Sequence, residues 1–184
     1  TLDSQPLLLP HIIDPFPLLA NAVIDPDTVR SREYRDLIHN PATKAVWAKS
    51  FANELGRLAQ GVGGRIKGTN TCFFIPHHAV PKKTVTYGRI VVELHPQKEG
   101  VERTRLTVGG DLIDYPGMAS TETADLTTSK VLFNSAVSTP KSEFMVIDIH
   151  NFYLNTPIPH FEYMRLHISL IPDEIIAEYN LMPL

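Results

Sequence analysis

The pattern of apolar and polar positions predicts a long amphipathic helix within residues 39–64. Asn40 can cap this helix, and Pro41 suits the first helical position, where no N–H is needed. Three glycines at 61, 63 and 64 predict its end. Its apolar side chains recur at helical spacing and form one stripe, which consists of Trp47, Phe51, Leu55 and Leu58.

The rest of the chain alternates less regularly between strand and helix patterns. Segments rich in β-branched and aromatic residues predict strands at 70–76, 84–96, 102–110, 143–149 and 162–169. A second helix is predicted at 123–140, where Thr123 or Asp125 can cap it and Pro140 lies beyond its end, and a short third helix at 172–181. Because these elements do not follow a βαβ order, we expect an α+β fold.

The composition is ordinary for a soluble globular protein. It has 184 residues, of which 43% are apolar and 20% charged, and no apolar run approaches the ~20 residues of a membrane span. The first 30 residues are rich in proline and lack a basic segment before their apolar stretch, so we expect an extended arm and no signal peptide. Cys72 is the single cysteine, which excludes an internal disulfide. We expect a cytoplasmic or nuclear location, no secretion and no membrane partner.

The net charge of −3 conceals a strong asymmetry along the chain. Residues 1–40 carry 3 basic and 6 acidic side chains (−3), residues 41–110 carry 11 and 4 (+7), and residues 111–184 carry 3 and 10 (−7). A basic middle can attract polyanions. A solvated basic face with no partner is the alternative.

Three common site types do not fit. The glycine-rich stretch at 61–69 has Thr69 where a phosphate loop needs lysine, and it follows a helix instead of a strand. His77 and His78 are adjacent and would point to opposite sides of a strand, so they do not form a metal pair. There is no G-x-S-x-G serine motif.

Asp148 is the main candidate for chemistry. It lies at the end of the predicted strand 143–149, where a buried carboxylate would need a compensating partner. One interpretation is a Mg²⁺ ligand, since Mg²⁺ binds one or two carboxylates together with substrate phosphates, and the ring of Tyr153 could then pack beside a bound sugar. The other is a carboxylate that caps the following turn through Asn151.

Several segments together resemble the reverse transcriptases of copia-type LTR retrotransposons. "VIDIHNFYLNTP" resembles their first catalytic motif, and "VWAKSFANELGRLAQGV" the W-x-x-A-x-x-x-E helix that opens the domain. "RTRLTVGGDLIDYPG" resembles the K-x-R-L-V-x-x-G element, and "TADLTTSKVLFNSAVS" the helix before the catalytic motif. The order and spacing of the four segments carry the resemblance.

The resemblance implies roles for individual residues. Asp148 would be the first metal-binding and catalytic aspartate, and the backbone of Ile149 and His150 would face the incoming triphosphate. Tyr153 would be the aromatic gate that selects deoxynucleotides. Arg103 and Arg105 would lie on one face of the fingers hairpin that holds the triphosphate, and either or both could reach a phosphate with a planar guanidinium group. The implied cofactor is Mg²⁺, and the implied partners are an RNA or DNA primer–template, deoxynucleoside triphosphates and the remainder of a polyprotein.

The resemblance also implies a domain order: an N-terminal extended arm (1–40), fingers (41–123), the start of the palm with the first catalytic motif (124–157), and a return to the fingers (158–184). The family reaction is two-metal phosphoryl transfer, for which a Y-x-D-D hairpin supplies two more aspartates. That hairpin and the L-P-Q-x-G element do not occur before the chain stops at Leu184, and His150 replaces the usual lysine.

We therefore expect a partial right-hand polymerase fold, in which 162–169 pairs with earlier strands. We also expect the fragment to be inactive alone. The alternatives are a non-catalytic nucleic-acid-binding module and a degraded retroelement remnant.

Overall fold

The computed structural model describes residues 23–25, 27–81, 84–97, 100–115, 117, 123–156, 158 and 160–181. The described helices are α1 (Tyr34–His39), α2 (Pro41–Leu58), α3 (Leu126–Ser138) and α4 (Asp173–Glu178). The described strands are β1 (Gly61–Val62), β2 (Ile66–Lys67), β3 (Val85–Leu94), β4 (Glu102–Val108) and β5 (Tyr163–Arg165). This confirms the α+β class. Most of the predicted extended arm, 1–22, lies outside the described residues.

Helix α2 forms as its sequence predicts. The side chain of Asn40 accepts a hydrogen bond from the N–H of Ala42 at 3.0 Å, which satisfies one of the free donors at the helix start. All three glycines that follow the helix have positive φ angles, between 55° and 115°, a region that favours glycine. The predicted apolar stripe is buried along its whole length.

The described chain divides into two compact units, one of residues 1–51 with 90–105 and one of residues 52–89 with 106–184. The first unit has a core of α1 and the start of α2. Tyr34 and Phe51 pack with ring centroids 4.9 Å apart, and burial raises the pKa of Tyr34. Ser50 on α2 donates a hydrogen bond to the carbonyl of Glu102 at 3.0 Å and lies 3.2 Å from the hydroxyl of the buried Thr104. These contacts fix the start of β4 against α2.

The second unit packs α4 against the end of α2 and the β1–β2 hairpin. Ile175 on α4 and Val62 on β1 are fully buried there. The hydroxyl of Tyr179 accepts a hydrogen bond from the N–H of Gln60 at 3.0 Å and donates one to the carbonyl of Gly61. A guanidinium–carboxylate pair, Arg65 with Glu174, joins the hairpin to α4.

The larger described sheet has three strands in the order β4–β3–β5. The hydrogen bonds from His95 N to Val101 O and from Gly109 N to Tyr87 O fit an antiparallel hairpin of β3 and β4. Strand β5 runs parallel to β3, with Val85 opposite Tyr163. The predicted pairing of segment 162–169 with an earlier strand is therefore confirmed.

Two predicted strands are wrong. Residues 70–76 do not form a strand, because their first backbone N–H groups bind the carbonyl groups at the end of α2. The N–H groups of Thr71 and Cys72 donate to Leu58 O, and that of Asn70 donates to Ala59 O. The last carbonyls of a helix need such donors. Residues 143–149 form no strand, since no described backbone hydrogen bond joins 143–148 to another segment. A β-prone composition does not form a strand without a partner.

Candidate nucleotide and nucleic-acid site

Asp148 is exposed to solvent, along with every other residue of the segment 141–150. The sequence-based expectation of a buried carboxylate is therefore wrong. Asp148 is exposed because the segment 143–149 does not pair with another strand, so no neighbouring strand covers it. The described residues include no hydrogen-bond or ion-pair partner for this side chain, so it does not cap the following turn through Asn151. An exposed carboxylate needs no compensating charge, and it is open to a ligand from solvent.

The turn after Asp148 is held by a polar contact that the sequence analysis missed. Asn151 has a positive φ of 56°, a conformation that asparagine tolerates better than most residues. Its side-chain oxygen accepts a hydrogen bond from Arg57 Nη1 at 3.2 Å. Arg57 also pairs with Glu54 at 2.7 Å. The spacing of Glu54 and Arg57 predicts a helical ion pair, but no local signal points to a partner 94 residues away.

A second contact holds the same turn, because Thr71 donates from its hydroxyl to the carbonyl of Leu154 at 3.4 Å. Tyr153 begins a short 3₁₀ turn that ends at Asn155. Its ring lies edge-on to Phe152, with centroids 5.4 Å apart, and is 82% exposed. Ile149 and His150 are exposed as well. One solvent-exposed segment, which includes this turn, therefore carries Asp148, Ile149, His150 and Tyr153.

Arg103 and Arg105 lie on β4 with the buried Thr104 between them. Alternation along the strand therefore puts both arginines on one face, as predicted. The same face carries Glu93 of β3, and His95 follows directly after the end of that strand. Glu93 accepts a hydrogen bond from His95 Nε2 at 2.9 Å and lies 3.6 Å from Arg105 Nε. The contact with His95 and the charges of Arg105 and Arg103 lower the pKa of Glu93.

One carboxylate therefore faces two guanidinium groups, and the hairpin face keeps a positive charge. The side chain of Arg105 is 54% exposed, so its donors remain available to a phosphate. These arginines belong to the first unit, and the turn 148–153 belongs to the second. The structure thus defines two separate groups of candidate residues. The first is the basic pair Arg103 and Arg105, and the second is the segment 148–153, whose one acidic residue is Asp148.

The described residues do not fit a two-metal centre. Within them, no three His, Cys, Asp or Glu side chains cluster as a metal site would require, and a pair of ions ~3.5–4 Å apart needs more than one carboxylate. Asp148 is the residue that would contact Mg²⁺ if further ligands joined it.

None of the helices in the described ranges has both the length and the hydropathy to cross a bilayer. Comparisons of the chain with protein-family models, with curated proteins and with solved structures find no match. The resemblance to copia-type reverse transcriptases consequently depends on the four motifs alone.

Proposed function

We propose that this chain is the fingers and the first palm segment of an RNA-directed DNA polymerase, and that it holds nucleic acid through the β3–β4 hairpin. The observation that carries the proposal is the pair Arg103 and Arg105 on one face of β4, opposed by the single carboxylate of Glu93. The motif order supports the family, and the net charge of +7 in residues 41–110 supports a polyanionic partner.

The binding would be electrostatic in the first instance. Arginine presents several donors in a planar fork that matches a phosphate group. Each phosphate neutralised by such a group releases condensed counterions, so affinity falls steeply with salt concentration. The negative charge of Glu93 would oppose this attraction. Because Glu93 lies close to both arginines, the hairpin face carries less positive charge than two arginines alone would give it.

We assign no polymerisation to the chain alone, because a single exposed aspartate does not supply the ligands of two metal ions. In the family reaction, Mg²⁺ supplies charge neutralisation of the triphosphate. The residues that would face the nucleotide here are Asp148, the backbone of Ile149 and His150, and the ring of Tyr153.

The binding test is fluorescence anisotropy of a labelled primer–template titrated with the chain at several salt concentrations. We expect affinity to fall with salt, and the double variant Arg103→Ala/Arg105→Ala to reduce the logarithmic salt slope by about 2. Arg35→Ala removes an exposed arginine from α1 and is the matched control, which should keep the slope. Binding that ignores salt, or a control that behaves like the double variant, would contradict the proposal.

The catalytic test is nucleotide incorporation on a primed RNA template with Mg²⁺ and deoxynucleotides. We expect no extension. Extension that is lost in Asp148→Asn would show that the chain polymerises and would refute its assignment as an incomplete enzyme.

A second candidate function is a binding module with no chemistry, which is favoured because no group of three or more His, Cys, Asp or Glu side chains among the described residues could hold a metal ion. The two differ in nucleotide binding. A polymerase segment predicts that Asp148→Asn weakens Mg²⁺-dependent binding of a deoxynucleoside triphosphate, whereas a plain binding module predicts no such effect.

A further inference from the structure

One carboxylate oxygen on the β3–β4 hairpin is shared between a histidine and an arginine. Glu93 Oε2 accepts a hydrogen bond from His95 Nε2 at 2.9 Å and lies 3.6 Å from Arg105 Nε. Among the described residues, the charged groups that face Glu93 are His95, which follows β3, and Arg103 and Arg105 of β4. A single negative charge therefore stands between one titratable ring and two guanidinium groups.

The backbone and partial burial hold this arrangement in place. His95 N donates to Val101 O at 2.8 Å, and antiparallel pairing from that bond puts Glu93 opposite Arg103. The side chains of His95 and Glu93 are 19% and 27% exposed, so solvent screens their interaction less than that of a fully exposed pair. The side chain of Arg105 is 54% exposed, which leaves it open to a ligand from solvent.

The charge state of His95 sets the positive charge of this hairpin face. While His95 is neutral, two guanidinium groups and one carboxylate leave a net charge of +1. Histidine is the side chain whose charge ordinarily changes between about pH 5 and 8, and a protonated His95 raises the net charge to +2. The contact with His95 and the charges of Arg105 and Arg103 lower the pKa of Glu93, so the carboxylate stays charged across that range.

We propose that His95 regulates phosphate binding at Arg103 and Arg105 according to pH. The inference rests on the proposed function, in which the two arginines hold the backbone of a nucleic acid. A protonated His95 forms an ion pair with Glu93 through the existing contact, so the carboxylate competes less with phosphate for the guanidinium groups. Acidification therefore raises the affinity for a polyanion, and by linkage the binding of a polyanion takes up a proton.

The test is fluorescence anisotropy of a labelled primer–template at constant salt, at about pH 5.5 and at about pH 8. We expect the parent chain to bind about fivefold more tightly at the lower pH, the effect of one added charge near the surface. His95→Gln cannot gain a proton and should bind equally at both pH values. His78→Gln removes an exposed histidine elsewhere in the chain and is the matched control, which should keep the fivefold change.

Two further measurements examine the mechanism. Glu93→Gln should bind more tightly than the parent chain at the higher pH, because the hairpin face loses its one negative charge. Isothermal titration calorimetry of the parent chain needs no variant. In two buffers with different heats of ionisation, it counts the protons exchanged on binding, and we expect net proton uptake near neutral pH.

The outcomes separate this inference from the proposed function. Binding that weakens with salt and needs Arg103 and Arg105, but ignores pH, would overturn regulation by His95 and leave the proposed function in place. Equal pH effects in His95→Gln and His78→Gln, or binding without proton uptake, would overturn it as well. Binding that shows no dependence on salt or on the two arginines would overturn both.

Discussion

Asp25 is held by a dense set of donors in the turn before α1. One of its carboxylate oxygens accepts hydrogen bonds from the N–H groups of Asp27 and Thr28 at 2.9 and 3.0 Å, and the other accepts from Arg32 at 2.6 Å. The side chain of Arg32 contributes most, and together these donors lower the pKa of Asp25 from 3.8 to about 2. Each donor favours the charged form.

The first prediction concerns this carboxylate. Because its folded pKa lies below the unfolded value, its contribution to stability is complete above about pH 4 and is lost as the pH falls through about 2. Arg32→Ala should move the pKa of Asp25 back towards its ordinary value. A carboxyl NMR titration measures the midpoint. The control variant Arg35→Ala should not move it, and an unchanged midpoint in Arg32→Ala would contradict the assigned cause.

The second prediction concerns Arg57, which fixes the turn that carries Tyr153. Described amides of that turn are hydrogen-bonded locally, for example Leu154 N to Asn151 O at 3.0 Å. Arg57→Ala removes the long-range anchor of Asn151, so these amides should exchange about fivefold faster, as expected for the loss of a hydrogen bond worth about 1 kcal/mol. Hydrogen exchange with mass spectrometry measures the effect. Lys130→Ala, on α3, is the control, and equal exchange in parent and Arg57→Ala would exclude an anchoring role.

At the level of elements, α2 supplies much of the described core. Phe51 is fully buried, whereas Phe73 is 58% exposed. The third prediction is that Phe51→Ala lowers the free energy of unfolding by about 3–5 kcal/mol, since it leaves a cavity. Phe73→Ala is chemically the same change at an exposed site and should cost less than about 0.5 kcal/mol. Urea denaturation compares them, and similar losses in the two variants would contradict the assignment of Phe51 to the core.

Elements with local signals were predictable from sequence. Helix α2 was predicted from its cap Asn40 and the spacing of its apolar stripe, and α3 from its cap Asp125. The long runs of β-branched residues predicted β3 and β4. The short elements α1, β1 and β2 carried too few residues to form a periodic pattern. Segment 143–149 has strand composition, but pairing is a non-local property and composition does not supply it.

The sequence predicted which residues are candidates for the site, but it predicted their burial and their neighbouring side chains only in part. Alternation along β4 correctly placed Arg103 and Arg105 on one face. The burial of Asp148 was predicted wrongly, because it depended on a sheet that the described residues do not form. Glu93 and Arg57 were missed as neighbours, since a cross-strand carboxylate and an anchor 94 residues away leave no local trace in the sequence.

At the level of the whole molecule, burial is distributed unevenly. No side chain of residues 123–156 is buried, whereas the described core draws on α1, α2, β1 and α4. The fourth prediction is that chymotrypsin cuts first after Phe144 or Phe152, before Trp47 or Phe51, because segments with few buried contacts open most easily. Mass spectrometry of the first fragments identifies the sites. First cuts within α2 would contradict this distribution.

The parallel pairing of β5 with β3 has a consequence for synthesis on the ribosome. Val85 pairs with Tyr163, which is synthesised 78 residues later. At ~5–20 residues per second, translation leaves the free edge of β3 without its neighbour for about 4–16 s. During that interval the nascent chain is open to wrong pairing, so its yield in cells should depend on chaperones that shield emerging strands.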